Sequence, residues 1–227
     1  MYKRLLFILI TVSIFGQDFN ISVYGITVAK ATWKLYDDKV DLEYKTKGLA
    51  NLIWPAENMY STEFNPKNYK LNGFTKKINQ GELKQLVSLN MNGDSLIYKS
   101  KHRIRKKPTY NLFSLLVLIQ KNFVPELDTK WLLFEHEGAL FNGRFILAGL
   151  DTIDYNGDNI VCNYFRLDVK KDSEESSFLD VTDRLMSFSI NENTTRQIWV
   201  ERNGNRRIIK ANILANGFPF QVDIQND

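Results

Sequence analysis

The sequence predicts a mainly β protein, an antiparallel barrel-like or sandwich fold with one short buried helix packed at an open end. Three observations carry this expectation. Period-two alternation of apolar and polar residues recurs along most of the chain, tight-turn residues separate the alternating runs, and one almost unbroken apolar run reads as a helix. In an extended strand successive side chains point to opposite faces, so each alternating run offers one apolar face to a core. No internal repeat or low-complexity tract interrupts the pattern.

The first hairpin is the clearest. Ala29, Ala31, Trp33 and Leu35 alternate with Lys30, Thr32, Lys34 and Tyr36; beyond the Asp37-Asp38-Lys39 turn, Val40, Leu42, Tyr44 and Thr46 alternate with Asp41, Glu43, Lys45 and Lys47. In a second hairpin Leu83, Val87, Leu89 and Met91 share a face, Asn92-Gly93-Asp94 supplies residues tolerant of a left-handed turn, and Leu96 and Tyr98 resume the alternation. The same signal marks "NIVCNYFRLDVK", "TRQIWVERNGNRRIIKANI" around Asn203-Gly204, and the terminal "FPFQVDI". Short turns with few Pro or Gly linkers imply antiparallel neighbours.

The chain divides at its start. Lys3 and Arg4 precede the largely apolar eleven-residue run Leu5 to Phe15, and Gly16 offers a small residue before Gln17. That pattern predicts a signal peptide over 1–16 and a single β-rich domain over 17–227, exported to the periplasm or secreted. No Cys follows the apolar run, so a lipid anchor is not expected. Loss of Lys3 and Arg4 leaves 28 of the 30 basic residues against 26 acidic ones, a near-neutral balance that gives no support for nucleic acid as a partner. The lone Cys162 can form no internal disulfide and reads as a small apolar core residue.

The densest apolar run, Leu112 to Ile119, is eight residues long. As a helix it measures about 12 Å, against about 30 Å of hydrocarbon in a bilayer, so it predicts no transmembrane span. Asn111 marks its start, and a helix apolar all round is expected to be buried on every side. The basic run before it, if extended, projects Lys99, Lys101, Arg103, Arg105 and Lys107 from one face. Such a stripe either meets anionic lipid or glycan or guards a sheet edge against aggregation; the edge reading is favoured.

No catalytic residue can be assigned. There is no Gly-rich phosphate loop, nucleophile elbow or His-Glu-x-x-His site, and neither a metal site nor a cofactor is expected. In Glu135-His136-Glu137 the strand period points the carboxylates away from the imidazole, so His136 reads as a surface or pocket-edge residue. "DYNGDN" imitates the start of a calcium loop, but Asn159 and Phe165 replace its Gly and closing Glu, which favours an ordinary turn.

Tyr24-Gly25 with Ala29, "GLANLIWP", "YSTEFNP" with Ser61 and Pro66, "YNLFSLL" and "IWVERNGNRRI" together resemble the exported bacterial proteins of domain of unknown function 3108. The chain departs from that pattern in carrying Asn111 in place of Asp and no Pro after Arg206-Arg207. The resemblance implies a periplasmic barrel-like fold and carries over neither catalytic residue nor cofactor. The favoured function is a non-catalytic ligand-binding or cell-envelope assembly module with an apolar cavity. Trp33, Tyr44, Trp54 and Trp199 are the candidate wall residues, and a lipid, another apolar group or an envelope protein the expected partner. The alternatives are an enzyme acting on envelope glycan and a structural partner of an envelope complex.

Overall fold

The computed structural model describes residues 15–93, 95–98, 103–104, 110–172 and 183–225. The first half of the sheet runs β1 (Phe15–Val23), β2 (Ile26–Leu35), β3 (Lys39–Thr46), β4 (Glu57–Phe64), β5 (Leu71–Gln80), β6 (Leu83–Asn92), β7 (Ser95–Tyr98) and β8 (Arg103–Ile104). The second half comprises β9 (Tyr110–Asn111), β10 (Leu132–His136), β11 (Ala139–Tyr155), β12 (Asp158–Lys171), β13 (Thr195–Glu201), β14 (Ile208–Ala215) and β15 (Phe218–Ile224). Helix α1 (Gly48–Ile53) separates β3 from β4, α2 (Leu112–Asn122) follows β9, and α3 (Arg184–Ile190) precedes β13.

All fifteen strands form one sheet in the order β8-β7-β6-β5-β4-β3-β2-β1-β15-β14-β13-β12-β11-β10-β9. The halves join where β1 pairs with β15, with Phe19 opposite Ile224 and Ile21 opposite Val222. Neighbours are antiparallel except β9 and β10. Laid flat at about 4.8 Å per strand the sheet would be about 67 Å wide. Yet its two edges, β8 and β9, are separated by residues 105–109 alone, and six Cα steps reach no more than about 22 Å. The sheet therefore curls until its edges approach each other. Among the described residues β8 and β9 do not pair, so side chains do the closing: Leu140 of β11 packs with Leu71, Val87, Leu89, Leu96 and Tyr98 from β5, β6 and β7.

The interior is filled by α2. Its start is fixed by a capping box: the Asn111 side chain accepts from Ser114 N at 2.9 Å and the Ser114 hydroxyl accepts from Asn111 N at 3.0 Å. The Asn111 amide donates to Thr62 Oγ1 of β4 at 2.8 Å. At the other end Arg206 donates to the Gln120 and Ile119 carbonyls, satisfying acceptors that a helix C-terminus leaves open. Phe113, Leu115, Val117, Leu118 and Ile119 are buried in the main core. Gly143 lets the helix approach β11, since a Cβ there would stand 3.3 Å from Phe134 and 3.4 Å from Leu115. The expectation of burial on every side is not met at one position: Leu116 is half-buried and lines a cavity. No helix among the described residues is long and apolar enough to cross a membrane.

The expected boundary between Gly16 and Gln17 falls inside β1, where Phe15 and Gly16 pair with Leu35 and Lys34; residues 1–14 lie outside the described residues. Of the basic stripe, Lys99, Lys101, Arg105 and Lys107 also lie outside them, while the backbone of Arg103 forms the edge strand β8. The "DYNGDN" segment is a hairpin turn, with Asn156 and Gly157 at φ 57° and 81° between β11 and β12.

Candidate functional site

Between α2, α3 and the strands on either side of the β1–β15 junction lie two adjoining cavities of about 170 and 240 Å³. They share Ile21, Tyr44, Ser189, Ile213 and Val222. Period-two alternation places these walls: on β1, Phe19, Ile21 and Val23 face inward together, and on β2, Ala31 and Trp33 do the same. Leu112, Phe113 and Leu116 of α2 border the first cavity, and Trp54, Ala50 and Phe188 border the second. The walls are almost wholly apolar, and among the described residues no Asp or Glu lines either space.

Trp33, Tyr44 and Trp54 meet at these cavities. The Trp33 indole N–H is satisfied by Gln120 Oε1 at 3.2 Å, in a chain that continues from Gln120 to Gln17 and from Gln17 to the Ile208 carbonyl. Burial pushes the Tyr44 phenol up to about 12, so it stays a protonated donor. Trp199 is elsewhere. It alternates on β13 with Ile198 and Val200, which belong to the main core, and so faces the opposite side of the sheet. There it stacks on Tyr164 with ring centroids 4.8 Å apart, donates to Asp151 at 2.8 Å, and packs with Cys162 and Ile209. Burial raises the Cys162 thiol to about 11, the state of an inert core thiol.

Helix α3 forms the roof, with Met186 and Ser189 over the first cavity and Phe188 and Ser189 over the second. It is anchored at both ends. The Asp183 carboxylate caps its start, accepting from Met186 N at 2.9 Å. Arg196 of β13 closes its end by donating to backbone carbonyls.

Asp183 also belongs to a buried ionic cluster that joins the two halves of the sheet. Lys76 of β5 pairs with Glu137, in the β10–β11 turn, and with Asp183 at 3.4 Å; all three side chains are at most 2% exposed. Tyr60 of β4 donates to Asp183 at 2.9 Å, and burial raises its phenol well above the ordinary value. Tyr98 of β7 donates to Glu135 of β10, which also accepts from Gly138 N at 2.8 Å. His136 is buried here and is not the surface or pocket-edge residue the sequence suggests. Burial holds its imidazole down at about 3, so it is neutral. The strand period failed at this point because Glu137 leaves the strand: with φ 51°, and Gly138 at 86°, it opens a two-residue turn that aims its carboxylate at Lys76. The cluster is closed to solvent and ties the curled sheet and α3 together. Among the described residues no group of three or more His, Cys, Asp or Glu could hold a metal ion.

Burial lifts the Glu135 carboxyl from about 4.5 to about 8, against the lowering effect of the Gly138 N–H. The folded state thus holds a proton that the unfolded chain releases above its ordinary carboxyl value, so this contribution to stability is complete at acid pH and disappears as pH rises through about 8. His136 acts in the opposite direction, losing stability as pH falls from about 6.5 to about 3. Above pH 6.5 only the Glu135 effect of the two remains. Urea unfolding is expected to show about 1–2 kcal/mol less stability at pH 8.5 than at pH 6.5, and Glu135→Gln is expected to flatten that slope. An unchanged slope in the variant would place the titration on another group.

No family model and no curated protein matches the chain. Among solved structures, the fold is similar to a β-barrel-like protein of domain of unknown function DUF1849 from Brucella abortus, at TM-score 0.58 and 7% identity over 95% of this chain and 99% of that one. The hypothetical lipoprotein YmcC from Escherichia coli (K12) matches at TM-score 0.40 and 11% identity, over 93% of this chain and 87% of that one. The chain is thus a mostly β, barrel-like protein whose similarity to the first of these, at 7% identity, is one of fold, and that neighbour is itself a domain of unknown function.

Proposed function

We propose that the protein is an exported, non-catalytic binding module of the cell envelope that encloses an apolar group between α2 and α3. One observation carries this reading: the two adjoining cavities are walled by apolar side chains from the sheet and both helices, with Trp33, Tyr44 and Trp54 among them. Small-molecule sites are concave, mostly apolar and furnished with few polar groups, and these cavities match that description. The basic flank and apolar run at 3–15 support export.

Native mass spectrometry on protein purified from the envelope fraction without detergent tests both parts. The expected spectrum shows a chain beginning at or near Gln17 together with a bound apolar molecule released on activation. A cytoplasmic, uncleaved chain would overturn the export reading, and a ligand-free chain that also takes up no added apolar probe would overturn the binding reading.

A further inference from the structure

Among the described residues the first cavity has one charged wall residue, Arg196, and it is 4% exposed. It projects inward from β13 on the side of Ile198 and Val200. Its guanidinium donates from Nε to the Ser189 carbonyl at 2.5 Å, from Nη1 to Thr194 O at 2.7 Å, and from Nη2 to Asn191 O. All three acceptors are neutral, and a guanidinium carries five N–H bonds. Among the described residues no carboxylate pairs with it. Burial holds it down at about 10, and Asp168, the carboxylate that pulls the other way, is itself engaged by Arg144 and Arg166. A buried cation is costly unless a counter-charge compensates it.

A second donor shares that cavity. Tyr44 of β3 lines it, and its hydroxyl hydrogen-bonds to none of the described residues. Among the described residues the lining therefore combines apolar walls, a buried cation without a counter-ion and a hydroxyl donor with no hydrogen bond, and it includes no acidic residue; the carboxylate of Asp183 acts on Tyr44 from outside that lining.

We propose that the cavity takes a single-chain carboxylate amphiphile, a fatty-acid-like ligand whose carboxylate is bound by Arg196 and Tyr44 while its chain lies along the apolar walls. This rests on the apolar-binding reading above and adds the charge of the ligand. An ionised carboxylate accepts charge-assisted hydrogen bonds from a guanidinium and supplies the charge the site lacks. A neutral chain of equal length fills the same walls but leaves Arg196 uncompensated.

The test is competition between dodecanoate and dodecan-1-ol for a neutral fluorescent apolar probe on the delipidated mature chain at pH 7.5, below micelle formation. Dodecanoate is expected to bind at least 10-fold more tightly than the alcohol, and Arg196→Met to bring the acid down to the alcohol's affinity. Arg196→Lys should recover part of the difference, and Tyr44→Phe should weaken the acid several-fold. Equal affinity of acid and alcohol for the unaltered chain would overturn this inference while leaving apolar binding in place. Failure of probe, acid and alcohol alike to bind would overturn both. Because the acid–alcohol comparison needs no variant, a variant that did not fold would leave the test decisive.

Discussion

Lys76→Met is expected to cost about 3–5 kcal/mol of folding stability, the usual loss when one partner of a buried ion pair is removed. The size follows from what the substitution leaves behind. Glu137 and Asp183 would stay in a site where each is at most 2% exposed, with the ammonium that bridges them gone. Asp183 also accepts from Tyr60 and from the first turn of α3, so the strain should spread from β4 to the cavity roof. Urea unfolding at pH 7 measures the loss. Adding Glu137→Gln and Asp183→Asn to Lys76→Met should recover part of it, because the penalty arises from unpaired charge and not from missing volume. A loss below about 1 kcal/mol would show that the cluster is hydrated in solution.

Leu115→Ala is expected to lose about 2–5 kcal/mol, through lost transfer energy and the cavity left behind. Leu115 is 0% exposed and faces Gly143, so no flexible group stands ready to fill the space. Leu116 is its internal control. One residue further on, it is half-buried against a cavity that already exists, and Leu116→Ala should cost clearly less. Equal losses would mean that the cavity beside Leu116 is filled, or that α2 is rotated from the orientation described.

The strands that stood out in the sequence were those with simple alternation and short turns, such as β2 and β3 or β13 and β14. Strand β5 is hard to read from the sequence because Lys76 sits at an inward position beside Lys77, and two adjacent lysines read as solvent-facing. Its alternation with the buried Ile78 and Gln80 was the signal that Lys76 is inside. Strand β1 is hidden in the sequence because the apolar run Leu5 to Phe15 merges into it at Phe15. The helix α2 was legible with its cap, since an eight-residue apolar run needs little more than its length and Asn111 to be read. Of the four candidate wall aromatics, Trp33, Tyr44 and Trp54 share the cavities and Trp199 does not. Composition reports that an aromatic is buried; only the face of its strand reports against what. The ionic cluster joins β4, β5, β7, the β10–β11 turn and the start of α3, residues up to 123 positions apart, and no local pattern encodes such an assembly.

The central claim, that an apolar group lies between α2 and α3, is tested most directly by quenching tryptophan fluorescence with a bromine-labelled dodecanol. Four variants would each keep one of Trp33, Trp54, Trp131 and Trp199, the other three being replaced by Phe. Trp33 and Trp54 line the cavities, whereas Trp131 stands beneath the cations of Arg144 and Lys170, and Trp199 is stacked on Tyr164 across the sheet. The account predicts saturable quenching of Trp33 and Trp54 with Trp131 and Trp199 unaffected. Quenching of Trp199 or Trp131 with Trp33 and Trp54 spared would contradict it.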